Sequence, residues 1–176
     1  MILDSSGRAL ARNRTAMVVS VDTTTMRRQD DGGKQVLTKL AAVLGTSYDE
    51  LMKRIRLCSP TVQRPCWPGS PYQPIPVDDK VDPKRAMQIM ERQEEFPGVT
   101  AQVQAVREYP KPEGAGAVQA IGYLQPITEE EMDKSKDLRV TGYSAVDLVG
   151  RDGIEASYDQ DLRGSPGLRK VLVDSQ

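Results

Sequence analysis

The sequence predicts an α+β fold in which mostly antiparallel strands carry an inserted group of helices. Three observations support this class. Strand-like patterns occur at both ends and in the middle of the chain. Apolar residues recur at helical spacing mainly at 34–56 and 82–96, and a regular alternation of strands with helices is missing. A parallel, doubly wound sheet would require that alternation. The 176 residues are enough for one domain with a small insertion.

The N-terminal stretch predicts two strands joined by a turn, followed by a further strand. In "ILDSSGRALAR" two apolar segments flank Asp-Ser-Ser-Gly, which is a sequence typical of a turn. The β-branched residues of "TAMVVSVDT" (15–23) then indicate another strand. We expect "TTTMRRQDDGG" to form a loop that ends at Gly32-Gly33.

A helical hairpin is predicted next. Apolar residues recur at helical spacing from Lys34 to Leu44, and Gly45 stands where a C-terminal cap belongs. A second helix follows in "TSYDELMKRIRL", because Ser47 and Glu50 have the spacing of a capping box.

The clearest predicted helix runs over 82–96, with Asp82 as N-cap, proline at the first helical position and Pro97-Gly98 at its end. Prolines in "SPYQPIPV" favour an extended segment before it. The residues at 99–106 alternate between apolar and polar, which predicts a half-buried strand.

Three further elements are predicted towards the C-terminus. "GAGAVQAIGYLQPI" indicates a short helix or turn packed under the sheet. Thr128 is the expected N-cap of a helix whose first turn is acidic, which suits the helix dipole. The final "LRKVLVDSQ" alternates like a strand.

Composition excludes several classes of function. A formal net charge of −1 argues against a nucleic-acid-binding protein, which needs a basic face. The sequence contains no apolar run of about 18 residues that could span a membrane. It also shows no signal peptide, since Met1 is followed at once by "ILDSSGRALARNR".

The cysteines predict a disulfide rather than a metal site. Cys58 and Cys66 are the only cysteines and histidine is missing, so a tetrahedral zinc site lacks ligands. The two thiols are close in a proline-rich loop, and an intact local disulfide would imply an oxidising compartment. The alternative is a pair of reduced thiols in a cytosolic protein.

No catalytic centre, cofactor site or metal site is predicted. Without histidine, catalytic triads and the commonest general base are excluded. Ser-x-x-Lys, Ser-Asp-Asn, Lys-Thr-Gly, Gly-x-Ser-x-Gly and a complete phosphate-binding loop do not occur. Adjacent carboxylates such as Glu94-Glu95 are typical of solvated faces, so a carboxylate hydrolase is disfavoured.

Three motif stretches nevertheless occur in a defined order. The first is "ILDSSGRALA", with Asp4 and Gly7. The second is "REYPKPEG", with Arg107, Tyr109 and Pro110. The third is "VGRDGIEASYDQDLRG" (149–164), which contains Gly150, Gly153, Glu155, Tyr158, Asp159, Leu162 and Gly164. Together these stretches resemble the non-catalytic pedestal, or "dimerisation", domain of class B penicillin-binding proteins, most closely that of the elongation-type enzymes.

The resemblance implies an elongated pedestal of mostly antiparallel strands with a helical head at about 31–97. It implies that the transmembrane anchor and the transpeptidase domain lie outside this chain. The chain itself is then not an enzyme. It would position its own transpeptidase domain in peptidoglycan synthesis on the extracytoplasmic face of the bacterial cytoplasmic membrane. Expected partners are a SEDS-family glycosyltransferase and other elongation-complex proteins.

The resemblance also assigns roles to particular residues. Arg107 and Glu155 are expected to form a charge-assisted pair between distant segments; the alternative is two unpartnered surface charges. Residues 149–164 are expected to form a structural clasp. Trp67 and Tyr72 are candidate partner contacts, although Trp67 could instead cover the core of the head.

Two departures from the family pattern concern the first motif. Ser5 and Ser6 replace the family's Arg and Asn, so an ionic cluster there would lack a member. An alternative function is an independent extracellular binding module that shares only the order of strands.

Overall fold

The computed structural model describes residues 1–110, 117–134, 142–144 and 147–164. Its N-terminal hairpin joins β1 (Ile2–Leu3) to β2 (Ala9–Val21), and the two strands are antiparallel. The predicted strand–turn–strand is therefore present. The second and third apolar segments form one strand of 13 residues, because the polar residues between them, such as Arg12, face solvent without interrupting the strand.

The loop predicted from Thr23 onwards is wrong at its start, where α1 (Thr23–Arg27) forms a short helix. The Asp22 carboxylate accepts hydrogen bonds from the amides of Thr24 (2.8 Å) and Thr25 (3.3 Å). Met26 is buried in the core. An N-cap together with one buried apolar side chain outweighs the low helix propensity of three threonines.

The helical hairpin forms as predicted, with α2 at Lys34–Leu44 and α3 at Tyr48–Ile55. Gly45 ends α2 in the left-handed conformation, at φ 72°. The Ser47 hydroxyl accepts a hydrogen bond from the Glu50 amide at 3.2 Å.

The helix predicted over 82–96 ends earlier than expected. α4 spans Pro83–Glu91 with Asp82 as N-cap, and a 3₁₀ turn at Gln93–Glu95 follows it. This turn brings Phe96 into the core, where it is 4% exposed. The backbone leaves the helical region at Arg92, with φ −122° and ψ 45°, and this ends α4 before the turn.

The sheet is built around β2. β3 (Ile75–Asp78) and β4 (Val99–Glu108) pair antiparallel with its opposite edges, and β4 follows β2 from Val21↔Val99 to Arg12↔Glu108. The alternation predicted for 99–106 holds only at the first residues. Val103 is 65% exposed, because the main core reaches Ala101 and no further along the strand.

One main core joins the sheet to the helices. Its buried residues come from β2, β3, β4, α1, α2, α3 and α4, and the largest fully buried ones are Leu40, Leu51, Ile75, Ile89, Val19 and Val21. The helices predicted to form a head therefore share their core with the C-terminal end of β2, where Val19 and Val21 lie.

The C-terminal part contains shorter elements. They are α5 (Val118–Ile121), β5 (Leu124–Pro126), α6 (Glu129–Lys134), β6 (Leu148–Gly150), α7 (Gly153–Ser157) and α8 (Asp159–Arg163). β5 and β6 form an antiparallel pair. The prediction of a short helix in 114–127 is correct for α5, but it missed β5. The strand predicted at 168–176 lies outside the described residues.

Thr128 caps α6 as expected. Its hydroxyl accepts from the Glu131 amide (3.3 Å), and the Glu131 carboxylate accepts from the Thr128 amide (2.8 Å). Among the described residues, no helix is long and apolar enough to cross a membrane.

Candidate functional site

The three motif stretches meet at one place, which we call the junction. A second small core forms there from buried Ile2, Ala11 and Ile121. Partly buried apolar side chains pack against it, including Tyr109 from the second motif and Ile154 and Leu162 from the third. The junction thus joins segments that are more than one hundred residues apart in sequence.

A buried ion pair connects the second motif to the third. The Arg107 Nε donates to the Glu155 carboxylate at 2.8 Å, and the two side chains are 10% and 2% exposed. Arg107 also donates through Nη1 to the Asn13 side chain at 3.1 Å. Asn13 is the residue directly opposite Arg107 in the β2–β4 register, so the arginine bridges β2, β4 and α7.

Two other polar atoms at the junction are buried without a hydrogen-bond partner in the described part of the chain: the Arg107 Nη2 and the Tyr109 hydroxyl. Burial raises the pKa of the Tyr109 hydroxyl, and the nearby Glu155 carboxylate raises it further because it would repel a phenolate. Tyr109 is therefore a neutral phenol that packs against the second core.

Glycines allow the backbones of the junction to approach closely. A Cβ at Gly150 would lie 2.1 Å from the carbonyl oxygen of Glu155, and one at Gly153 would lie 2.3 Å from that of Ala120. Gly122, which the sequence analysis did not select, would place a Cβ 1.8 Å from the Asp152 oxygen. Any larger residue at these positions must displace backbone rather than a flexible side chain.

Asp159 connects the end of the third motif to its beginning and to Tyr143. Its carboxylate accepts a hydrogen bond from the Gly150 amide at 2.8 Å and another from the Tyr143 hydroxyl. The Arg163 guanidinium lies 3.8 Å from the centre of the Tyr143 ring, within cation–π range. Burial and the Asp159 carboxylate both raise the pKa of Tyr143.

A second ion pair was missed by the sequence analysis. Arg151 contacts Glu131 through two nitrogens, one at 2.9 Å, and also donates to the Pro126 carbonyl. Arg151 first, and hydrogen bonds with Thr128 second, lower the pKa of Glu131 from 4.5 to about 2. The Thr-x-x-Glu spacing at 128–131 was a local signal for Glu131, but nothing in the sequence pointed to Arg151 as its partner.

A cleft of about 400 Å³ borders the junction. The charged residues that line it are Arg107, Asp147, Glu155, Asp159 and Arg163. Both arginines pair with acids of the same cleft. No group of residues that could hold a metal ion occurs in the described part of the chain. The arrangement connects distant chain segments, and the described residues that line the cleft include no Ser, Thr, Cys or Lys.

The first motif forms the turn of the N-terminal hairpin. The Asp4 carboxylate accepts from the amides of Ser6 and Arg8, each at 2.9 Å, and from the Arg8 Nε at 2.8 Å. These bonds, led by the one from the Arg8 amide, lower the pKa of Asp4. Gly7 occupies the turn at φ 77°. Arg8 thus gives Asp4 a cationic partner although Ser5 replaces the family's arginine.

The other predicted motif residues do not contribute polar side-chain contacts to the junction. Pro110 is half-buried at the second position after β4, and Tyr158 is 57% exposed. Gly164 ends α8 at φ 72°.

Cys58 and Cys66 form a disulfide. Next to it, Trp67 is partly buried against the main core, and its indole donates to the Ser70 carbonyl at 3.1 Å. Trp67 thus makes the contact that a core-covering tryptophan would make, and its contact with a partner stays a prediction. Tyr72 is 78% exposed. Its contact with a partner stays a prediction.

Comparisons with known proteins give a consistent result. The family model described as "Penicillin-binding Protein dimerisation domain" matches residues 1–176. Peptidoglycan D,D-transpeptidase MrdA of Escherichia coli (strain K12) is 26% identical over all of this chain, which spans 26% of that relative's length. MrdA of Acinetobacter baumannii is 37% identical over 46% of the chain and 11% of the relative.

Solved structures show the same fold. Penicillin-binding protein 2 of Helicobacter pylori aligns with 90% of this chain and 27% of its own, at a TM-score of 0.62 and 16% identity. The same protein in complex with MreC aligns with 89% of this chain and 26% of its own, at a TM-score of 0.54 and 16% identity.

Proposed function

Since this chain belongs to the penicillin-binding protein dimerisation-domain family, we propose that it is the non-catalytic scaffold of a peptidoglycan D,D-transpeptidase. In this role it positions the transpeptidase domain and contacts other proteins of the elongation machinery. The observation that carries the proposal is the junction. A buried ion pair joins the second motif to the third, close backbone contacts pack the third motif against α5, and the small apolar core adds the first motif. Such an arrangement is what a rigid support requires.

The chemistry of the junction supports a structural role. Arg107 and Glu155 are paired and shielded from solvent, so neither is free to act on a substrate. The chain spans about a quarter of the length of the transpeptidases it matches, and we place the catalytic serine in the remainder of such a protein.

Penicillin labelling tests whether the catalytic residues lie outside this chain. We expect a fluorescent penicillin to label the full-length protein encoded by the gene that contains this sequence, and to leave the 176-residue chain unlabelled. Covalent labelling of the isolated chain would overturn the proposal that it is non-catalytic. A full-length protein that is never labelled would overturn its assignment to a transpeptidase.

For partners, we propose a SEDS-family glycosyltransferase and other elongation proteins, contacted through the helical head at about 31–97. One structural neighbour is a complex with MreC, which supports an MreC-type protein as one of these partners. The exposed Tyr72 ring is the candidate anchor. We expect Tyr72→Ala to weaken binding of the MreC homologue encoded in the same genome, with Tyr158→Ala, also an exposed tyrosine, as the control.

We propose that the chain works on the extracytoplasmic face of the cytoplasmic membrane. The disulfide between Cys58 and Cys66 supports this location, because disulfides persist in oxidising compartments and are rare in the cytosol. Alkylation of free thiols in intact cells, before lysis, tests whether the disulfide forms in the native location. We expect neither Cys58 nor Cys66 of the native protein to be alkylated.

A further inference from the structure

A second surface feature lies away from the junction, between α1, α2 and α3. It is a groove of about 500 Å³, which we call the head groove. Its floor is apolar: Met26, Leu37 and Ile55 belong to the main core, and Tyr48 packs against that core. Met52, which also lines the groove, is 38% exposed. Met26 and Leu37 are only 3% and 2% exposed, so the apolar surface that a ligand can reach is that of Tyr48, Met52 and Leu57.

The charges around the head groove all have one sign. Arg27, Lys53 and Arg56 line it, and none of the described lining residues is acidic. Since the formal net charge of the whole chain is −1, the positive charge is a local property of the groove. The acids nearest in sequence to Gly32 are Asp30 and Asp31, and they line a different hollow together with Glu94 and Glu95.

These three cations have no carboxylate partner among the described residues. Other basic residues of the same region are paired, as Lys39 is with Glu95 and Arg54 with Glu50. The Arg56 guanidinium donates to the Gln63 carbonyl, at 3.2 Å, and to no carboxylate of the described residues. Unpaired cations around an apolar floor are complementary to a ligand that combines apolar side chains with carboxylates.

We propose that the head groove binds a protein segment in which apolar side chains are flanked by Asp or Glu. The apolar side chains contact Tyr48, Met52 and Leu57, and the acids pair with Arg27, Lys53 and Arg56. A membrane surface is a poorer match because the cations surround a concave floor of about 500 Å³, which suits a few side chains. The inference rests on the proposed scaffold function and names the chemistry of one partner surface, distinct from Tyr72.

Selection of peptides by the chain tests the proposal. A phage-displayed library of random short peptides is panned against the immobilised 176-residue chain, and the enriched peptides are measured by fluorescence anisotropy. We expect enriched sequences to contain Leu, Ile or Phe next to Asp or Glu. Their affinity should fall with added salt, because exposed charge pairs are screened. Replacing the acids of an enriched peptide by Asn and Gln should weaken its binding.

The variant Arg27→Glu/Lys53→Glu reverses two charges of the groove. We expect its affinity for the enriched peptides to fall by about tenfold or more, since two favourable pairs become repulsive. Lys84→Glu is the matched control because Lys84 is exposed, unpaired in the described part of the chain and outside the groove. Met52→Asp tests the apolar part separately, and circular dichroism melting verifies that each variant is folded.

Three outcomes would overturn the proposal. One is enrichment of peptides without an acidic and apolar pattern. Another is binding that the double variant retains in full. The third is that vesicles of anionic lipid, but no peptide, bind in a way that depends on Arg27 and Lys53. Failure of the penicillin-labelling test would instead refute the scaffold assignment, and it would leave peptide binding at the head groove measurable on its own.

Discussion

Removal of the Glu155 carboxylate should be among the most destabilising single changes at the junction. Glu155→Leu leaves the Arg107 guanidinium buried and unpaired, with a side chain only 10% exposed. Breaking a buried ion pair in this way costs about 3–5 kcal/mol in the free energy of unfolding. For a chain of this size a loss of 1 kcal/mol lowers Tm by about 2–4 °C, so we expect a fall of about 6–20 °C.

The structure supplies both a control and a rescue. Glu108 also pairs with an arginine at 2.8 Å, but there the arginine and glutamate side chains are 53% and 35% exposed. Glu108→Leu should therefore change stability far less than Glu155→Leu. The double variant Arg107→Met/Glu155→Leu removes both buried charges, and we expect it to recover much of the lost stability, since apolar replacement of a buried pair is often neutral.

Urea unfolding followed by circular dichroism gives the free energies for this comparison. The reasoning is refuted if Glu155→Leu and Glu108→Leu shift the urea midpoint equally. It is also refuted if the double variant is less stable than Glu155→Leu, because a buried unpaired charge would then not be the cause of the loss.

Three further predictions concern other parts of the chain. Hydrogen bonds from Arg151 first and from Thr128 second lower the folded-state pKa of Glu131 from 4.5 to about 2. The ionised carboxylate therefore stabilises the fold above pH 4.5, and this contribution is lost as the pH falls towards 2. Urea midpoints measured across that range should vary less with pH in Glu131→Gln, and an identical pH dependence in both proteins would refute the assignment. Cys58→Ser/Cys66→Ser opens a short loop and should cost about 2–3 kcal/mol. It should also shift the emission of Trp67, the only tryptophan, to longer wavelength, whereas an unchanged spectrum and midpoint would show that the disulfide does not support that loop. Gly150→Ala places a Cβ 2.1 Å from the Glu155 carbonyl oxygen and should cost about 1–3 kcal/mol through overpacking. Gly7→Ala meets nothing within 4 Å and adds only backbone strain, so an equal loss of stability in the two variants would contradict the close approach.

Features that depend on neighbouring residues could be read from the sequence. The caps at Asp82, Ser47 and Thr128 are examples, because a cap needs only a polar side chain a few residues from the amide that it accepts from. The α1 helix was missed because three consecutive threonines favour extended structure, and the burial of Met26 that compensates is a tertiary contact.

Long-range pairs at the junction were predictable only through the resemblance to a family. Arg107 and Glu155 are 48 residues apart, and composition and periodicity do not connect them. Arg151 with Glu131 and Tyr143 with Asp159 were missed for the same reason. The exposure of Val103 was also not predictable, because an alternating pattern does not show where the covering helices end.

We propose that the junction makes this chain a rigid support for a transpeptidase domain. The most direct test uses the full-length protein that contains this sequence and measures penicillin acylation and peptide cross-linking side by side. We predict that Glu155→Leu leaves the rate of acylation unchanged and reduces cross-linking, whereas Glu108→Leu retains both. Cross-linking that is equal in the two variants, with equal acylation, would contradict the claim.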